Sequence, residues 1–267
     1  MTLRRSQSLS VLLFSGLSLL IARHAYATAI SAANITFSLH ITSDPETSVV
    51  FSNNWTAEAF AQANNSLGEA DAGFDTSQTR TATADTDPAK VTWADGHGQA
   101  DPVRLTGGAQ SKANIPGTTL GQASSEGRGT LFNSFEITTN DPNVTAVQVD
   151  FSVDLAGGVS AFTDTNGLSA RSEAIFGLGV DGTLVSGLFL DKLLLIGSNS
   201  SAAQGISGTL SGSLTLQPGT TYFLLAETDA ESMVANTPEP STLALMLTGF
   251  GVLTGFARKM RAGTTPP

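Results

Sequence analysis

The chain has 267 residues, a formal net charge of −10 and no cysteine. The absence of cysteine excludes disulfides, thiolate metal sites and cysteine nucleophiles. Residues 28–235 carry 7 Lys and Arg against 22 Asp and Glu, a formal charge of −15. Because such a body repels phosphates, the charge argues against nucleic acid as a partner.

The N-terminus, residues 1–27, has the three parts of a secretory signal peptide. An arginine pair near the start is followed by an apolar helical stretch over residues 9–22. Ala25 and Ala27 then provide the small side chains that signal peptidase recognises. We expect export through the general secretory route with cleavage after Ala27, and the alternative is an uncleaved anchor helix.

The body of the protein, residues 28–235, is predicted to be all-β. Apolar and polar residues alternate over residues 35–41, 147–155 and 210–216, and a period of two is typical of antiparallel strands with one buried face. We count eight or nine short strands. The pattern favours an antiparallel β-sandwich or a jelly roll.

Turn residues separate several of these predicted strands. Asp181-Gly182 is a two-residue hairpin signal, residues 217–220 suit a type II turn, and residues 140–143 form a polar connection. Residues 193–196, Leu-Leu-Leu-Ile, lack alternation, so we expect them in the centre between the sheets. Residues 230–237 are interpreted as a linker.

Residues 52–128 are rich in Ala, Asn, Thr, Asp and Gly and poor in large apolar side chains. This composition predicts a loop-rich segment with long loops and local disorder. Residues 57–63 fit one short helix or a strand, and two extra strands are expected near residues 91–93. The expected packing anchors of the segment are Trp55, Phe60, Phe74 and Trp93.

The C-terminal segment, residues 236–262, has three ordered parts. A stiff, non-helical box comes first, because each proline restricts the residue before it. Residues 243–257 then form an apolar run that is predicted to be a single, short transmembrane helix, and a basic cluster follows. The box is Pro238, Glu239, Pro240, Ser241 and Thr242, and the basic residues are Arg258, Lys259 and Arg261.

The basic residues at both ends of the chain predict the topology. The positive-inside rule holds both basic clusters on the cytoplasmic side. Residues 28–235 are therefore expected outside the inner membrane.

This three-part C-terminus, together with a signal peptide, resembles the PEP-CTERM sorting signal of Gram-negative bacteria that make exopolysaccharide. The resemblance covers about thirty residues. It implies that an exosortase, a membrane-embedded cysteine transpeptidase, processes the protein near the box and sends the body to the cell surface or extracellular matrix. The same tail ends some ice-binding proteins, and this does not make the body an ice-binding domain.

Few residues of the body suggest a catalytic or metal site. Only His40 and His97 remain after signal removal, and no serine lies in a nucleophile elbow, so no catalytic residues are assigned and we expect a non-enzymatic protein without a cofactor. Calcium is the alternative, because it prefers oxygen ligands in loops. The calcium candidates are Asp85, Asp87, Asp95 and Asp101.

Three functions remain open from the sequence. The first is a structural or interaction protein of the exopolysaccharide matrix, with signal peptidase and an exosortase as partners during export. The second is a carbohydrate-binding module that stacks sugars on Trp55, Trp93 or Tyr222, although Tyr222 better suits a core position with a wet hydroxyl. The third is an extracellular hydrolase, which three or more acids in one concave pocket would favour.

Overall fold

A computed structural model of the protein describes residues 28–51, 54–115, 121–164 and 168–236, and these residues form two antiparallel sheets. The predicted signal peptide, sorting box, transmembrane helix and basic cluster lie outside the described residues. The first sheet has six strands, which are in spatial order β12 (Ser200–Leu216), β9 (Val147–Thr163), β1 (Ala29–Ser43), β7 (Thr106–Ile115), β6 (Ala94–Asp101) and β5 (Ala82–Asp85).

The second sheet has seven strands. In spatial order six of them are β11 (Thr183–Ile196), β10 (Leu168–Val180), β13 (Thr221–Asn236), β8 (Gly121–Thr139), β3 (Thr56–Asn65) and β4 (Ala70–Ser77). The seventh, β2 (Thr47–Phe51), pairs with the C-terminal part of β8. Both sheets turn one face towards a shared core and the other towards solvent.

The all-β prediction is confirmed, since the described residues contain no helix. The alternating segments at 35–41, 147–155 and 210–216 lie in β1, β9 and β12. The predicted turns also occur where expected. Asp181 and Gly182 join β10 to β11 with φ angles of 50° and 76°, which suits the type I′ hairpin turn that this dipeptide favours.

The strands are more numerous and longer than expected. Thirteen strands occur among the described residues, and β8 alone runs for 19 residues. The prediction of eight or nine short strands is therefore wrong. Long strands such as β8 carry small residues in their interior, and small residues weaken the apolar alternation on which sequence interpretation depends.

One half of the core, between β1 and β9 of the first sheet and β10 and β13 of the second, is filled by large side chains. The rings of Phe37 and Phe176 meet there across the two sheets with centroids 5.3 Å apart. At its border the hydroxyls of Ser111 and Ser232, one from each sheet, lie 2.8 Å apart. This hydrogen bond satisfies both polar groups in a dry interior.

The other half of the core is built from alanine and glycine. It is formed largely by residues 52–128, so the prediction that this segment is loop-rich is wrong. That segment forms β3 to β7 and the start of β8. A Cβ atom on Gly129 of β8 would lie 2.7 Å from the carbonyl oxygen of Gly108 on the facing sheet. The sheets therefore approach to backbone contact, which leaves room only for small inward residues. These include Ala57, Ala59, Ala61, Ala63, Gly96, Gly98 and Gly127.

Two further expectations are wrong. Residues 193–196 lie on β11, an edge strand, where Leu194 faces the core at 7 % exposure and Leu195 faces solvent at 69 %. Residues 230–236 are not a linker but the end of β13, which is hydrogen-bonded on both sides to β8 and β10. Residues 91–93 themselves form a turn, and the two strands expected near them are present as β5 and β6 on either side of it.

Candidate functional site

A line of polar residues crosses the outer face of the six-stranded sheet. The strand register places one residue from each strand side by side, and we call this line the polar row. Its members in spatial order are Gly205, Gly158, Asn34, Gln110, His97 and Asp85. The two glycines lack side chains, so a depression of about 560 Å³ lies over this part of the sheet.

The polar row contains a hydrogen-bonded histidine and aspartate pair. His97 Nδ1 lies 2.5 Å from Asp85 Oδ1, so the carboxylate orients the imidazole ring. A nucleophile would have to lie within about 3 Å of the histidine to be activated. Ser160, which also lines the depression, stands on β9, three strand spacings of about 4.8 Å away from β6.

The four predicted calcium ligands do not come together. Asp85 contacts His97, and Asp95 Oδ1 accepts a hydrogen bond from Thr86 Oγ1 at 3.2 Å. Asp87 and Asp101 accept backbone N–H groups within their own turns. Among the described residues, no three His, Asp or Glu side chains are placed to hold one metal ion.

The predicted sugar-stacking residues are packed into the protein. Trp55 is buried with its ring centroid 4.9 Å from that of Phe51, and Trp93 is half-buried against the core. The ring of Tyr222 packs on Phe135 at 5.6 Å, while its hydroxyl accepts the Gln217 N–H at 2.8 Å. Trp55 is thus wrong as a stacking residue and right as a packing anchor, and the core position of Tyr222 is confirmed.

Phenylalanine, rather than tryptophan, supplies the exposed aromatic surface. On the outer face of the seven-stranded sheet, Phe60, Phe74, Phe132 and Phe223 line a groove of about 390 Å³ together with polar residues. We call this the phenylalanine groove. Phe74 is 64 % exposed and Phe223 is 46 % exposed. Phe74 is therefore wrong as a packing anchor, because it points away from the alanine-lined core.

A dense set of charges borders the phenylalanine groove. Glu227, Asp229 and Glu231 project outward from β13 beside Glu126 of β8, and we call these four residues the acidic ladder. Arg128 lies among them and donates hydrogen bonds to Glu126 at 2.7 Å and Asp229 at 3.3 Å. The Arg128 guanidinium also lies over the Phe60 ring, 5.9 Å from its centroid.

One carboxyl group of the acidic ladder, that of Asp229, has a raised pKa. Burial raises the pKa of Asp229 to about 7, and the carboxylates of Glu126, Glu231 and Glu227 add to this effect while Arg128 opposes it. Burial likewise raises the pKa of Glu173 on the neighbouring strand β10. Near neutral pH the Asp229 carboxyl is therefore partly protonated, which lowers the negative charge on the outer face of the seven-stranded sheet.

No protein-family model matches the chain, and no curated protein matches it. Within the described part of the chain, no helix has the length and apolar character needed to cross a membrane. The residues that were predicted to do so lie at 243–257, beyond the last described residue.

The two ends of the described body lie next to the predicted processing points. The backbone nitrogen of Thr28, the residue after the expected signal cleavage, lies 2.5 Å from Asp164 Oδ1. At the other end, β13 continues to Asn236, where it still pairs with Gly121 of β8 and Leu168 of β10. The predicted sorting box begins two residues later, at Pro238.

Sequence reasoning missed the phenylalanine groove, although a signal for it exists. In β3 the alanines at 57, 59, 61 and 63 alternate with Glu58, Phe60 and Gln62. Because alternate residues of a strand face opposite sides, burial of the alanines requires Phe60 to face outward. The short alanine side chain is a weak marker of a core position, so the sequence alone favours Phe60 as the buried residue.

Proposed function

We propose that this protein is an exported, non-enzymatic component of the cell surface or exopolysaccharide matrix, and that an exosortase sorts it there. The observation that carries the proposal is the ordered C-terminus: the Pro238-Glu239-Pro240 box, the apolar run over residues 243–257 and the basic cluster from Arg258. The fold supports it, because the described part of β13 ends at Asn236, before the box. Cleavage beyond that residue would leave every described strand intact.

We further infer that the body is a β-sandwich in which the two antiparallel sheets are the layers. The ring contact between Phe37 and Phe176 and the hydrogen bond between Ser111 and Ser232 join the sheets at the core. Such a body needs neither disulfides nor a metal to bury a sufficient core at this length.

C-terminal mass spectrometry of the protein purified from its host tests the sorting proposal. The mature chain is expected to end between Asn236 and the apolar run, and to retain all residues up to Asn236. Deletion of the host exosortase should leave the uncut, membrane-held form. A mature protein that still ends in the sequence Thr264-Thr265-Pro266-Pro267 would refute exosortase processing and leave a plain membrane-anchored protein.

Carbohydrate binding is a second candidate function, and the phenylalanine groove favours it. Exposed aromatic rings beside carboxylates and an arginine are the groups that bind sugars, since the rings contact apolar sugar faces and the polar groups bind hydroxyls. The hydrolase alternative gains less from the same groove, because only two acids, Glu58 and Glu227, line it.

A further inference from the structure

The phenylalanine groove contains two separate apolar platforms. Phe60 and Phe74 lie directly opposite each other across β3 and β4. Phe132 and Phe223 form the second platform across β8 and β13, with ring centroids 5.9 Å apart. Phe60 is paired with Arg128, four residues before Phe132 on β8, so the platforms are about 13 Å apart along the strands. An extended ligand is needed to contact both.

Polar side chains occupy the row between the two platforms. The register places Glu58 of β3, Thr130 of β8 and Glu227 of β13 side by side. The Thr130 hydroxyl donates to the Glu227 carboxylate at 3.3 Å, which fixes that carboxylate in the groove. The surface therefore alternates apolar, acidic and apolar along its length. A chain of sugar rings has the matching character, with apolar ring faces and polar substituents.

The charges around the groove select among sugar polymers. Glu58 and Glu227 line it, the rest of the acidic ladder borders it, and Arg128 is the cation among its lining residues. A polysaccharide with carboxylate or sulfate groups would be repelled. A protonated amine would be attracted both by these carboxylates and by the faces of the phenyl rings, through cation–π interaction.

From these observations we infer that the phenylalanine groove binds a polysaccharide whose sugars carry free, protonated amino groups. The sugar faces pack on the two platforms, and the ammonium groups pair with Glu58 and Glu227 in the row between them. This inference rests on the proposed matrix role and names the class of matrix polymer that the protein holds.

Calorimetric titration of the full chain in nanodiscs of zwitterionic lipid tests the ligand class. The three probes are a β-1,4-linked glucosamine hexamer, its N-acetylated counterpart and a galacturonic acid hexamer. The amino hexamer is expected to bind roughly tenfold more tightly than the acetylated one, which corresponds to about 1.4 kcal/mol. The galacturonate should bind most weakly, since its charge has the same sign as the groove.

Alanine variants test the location. Phe74→Ala and Phe223→Ala should each weaken binding of the amino hexamer by roughly tenfold, as expected for aromatic anchors of a site. Phe162→Ala is the matched control, because this phenylalanine is 43 % exposed but belongs to β9 of the other sheet. Glu227→Gln should weaken the amino hexamer more than the acetylated one, whereas Glu46→Gln, in the turn between β1 and β2, should change neither.

Two results would overturn the inference. If Phe74→Ala and Phe223→Ala bind the amino hexamer as Phe162→Ala does, the groove is not the site. If the acetylated or galacturonate hexamer binds as tightly as the amino hexamer, the ligand class is wrong. Neither result affects the C-terminal mass of the mature protein, so failure here is distinguishable from failure of the sorting proposal.

Discussion

The alanine and glycine half of the core predicts that one added methyl group will destabilise the protein sharply. In Gly129→Ala the new Cβ would lie 2.7 Å from the Gly108 carbonyl oxygen and 3.0 Å from the Gly108 nitrogen, and closer still to the Gln99 carbonyl oxygen. An ordinary carbon–oxygen contact is about 3.3 Å. The sheets would therefore have to separate locally by more than ~0.6 Å, because the Gln99 oxygen is closer to the new Cβ than the Gly108 oxygen is.

The size of the effect follows from which atoms obstruct the methyl group. Overpacking a well-packed core destabilises by about 1–3 kcal/mol. Because all the obstructing atoms are backbone and cannot rotate away, we expect about 3 kcal/mol for Gly129→Ala. At roughly 2–4 °C per kcal/mol for a domain of this size, the melting temperature should fall by about 6–12 °C.

Gly205→Ala is the matched control for Gly129→Ala. Gly205 is also in a strand, but a Cβ atom there would meet no other atom within 4 Å. Both substitutions reduce the entropy of the unfolded chain equally, so their difference isolates the clash. Urea unfolding followed by tryptophan fluorescence measures this difference in the free energy of unfolding through Trp55, which is buried next to the start of β3. If the two variants agree within about 0.5 kcal/mol, the sheets are not in backbone contact.

Three further predictions concern pH, the edge strand and the new N-terminus. Burial raises the pKa of Asp229 to about 7, so the folded protein retains a proton that the unfolded chain releases near pH 4. Asp229 therefore makes the free energy of unfolding fall as the pH rises between about 4 and 7. Asp229→Asn should remove that loss, raising the urea midpoint at pH 8 but not at pH 4; equal gains at both pH values would contradict the assignment. Leu194→Ala should destabilise by about 2–5 kcal/mol and Leu195→Ala by less than about 0.5 kcal/mol, and equal melting temperatures would show that β11 has a different register. Asp164→Asn should destabilise a mature chain beginning at Thr28 by up to ~1 kcal/mol. The same substitution should cost less in a chain with one extra N-terminal residue, because only a chain that begins at Thr28 presents an ammonium group to Asp164. Calorimetry that finds equal losses of stability in the two chains would exclude this ion pair.

The strands that sequence could predict are those whose inward residues are large. Over residues 35–39 of β1 and 147–155 of β9 the inward positions hold Ile, Phe, Leu and Val, so alternation in the sequence identifies both the strand and its buried face. In β3 the inward positions hold alanine, and in β6 they hold alanine and glycine. These residues bury well only because another backbone lies against them. That condition comes from the facing sheet and is not visible in the local sequence.

The candidate site could be predicted only in part, for the same reason. The sequence shows His97 and Asp85 as individual residues, but their contact depends on the pairing of β5 with β6. The phenylalanine groove collects residues from β3, β4, β8 and β13, which are adjacent in the sheet but distant in the chain. Which side chains share a row is decided by strand order, and no local pattern records strand order.

The place of β13 in the sheet has a mechanical consequence. This strand pairs with β8 along its whole length, from Thr221 to Asn236, and with β10 from Leu224 onward. A force applied at the C-terminus would pull the strand lengthwise between two neighbours and load both ladders of hydrogen bonds together in shear, instead of opening them one at a time. If the body is tethered at its C-terminus, β13 is both the strand that is pulled and the strand held by two neighbours, so a pulling force meets high resistance to unfolding.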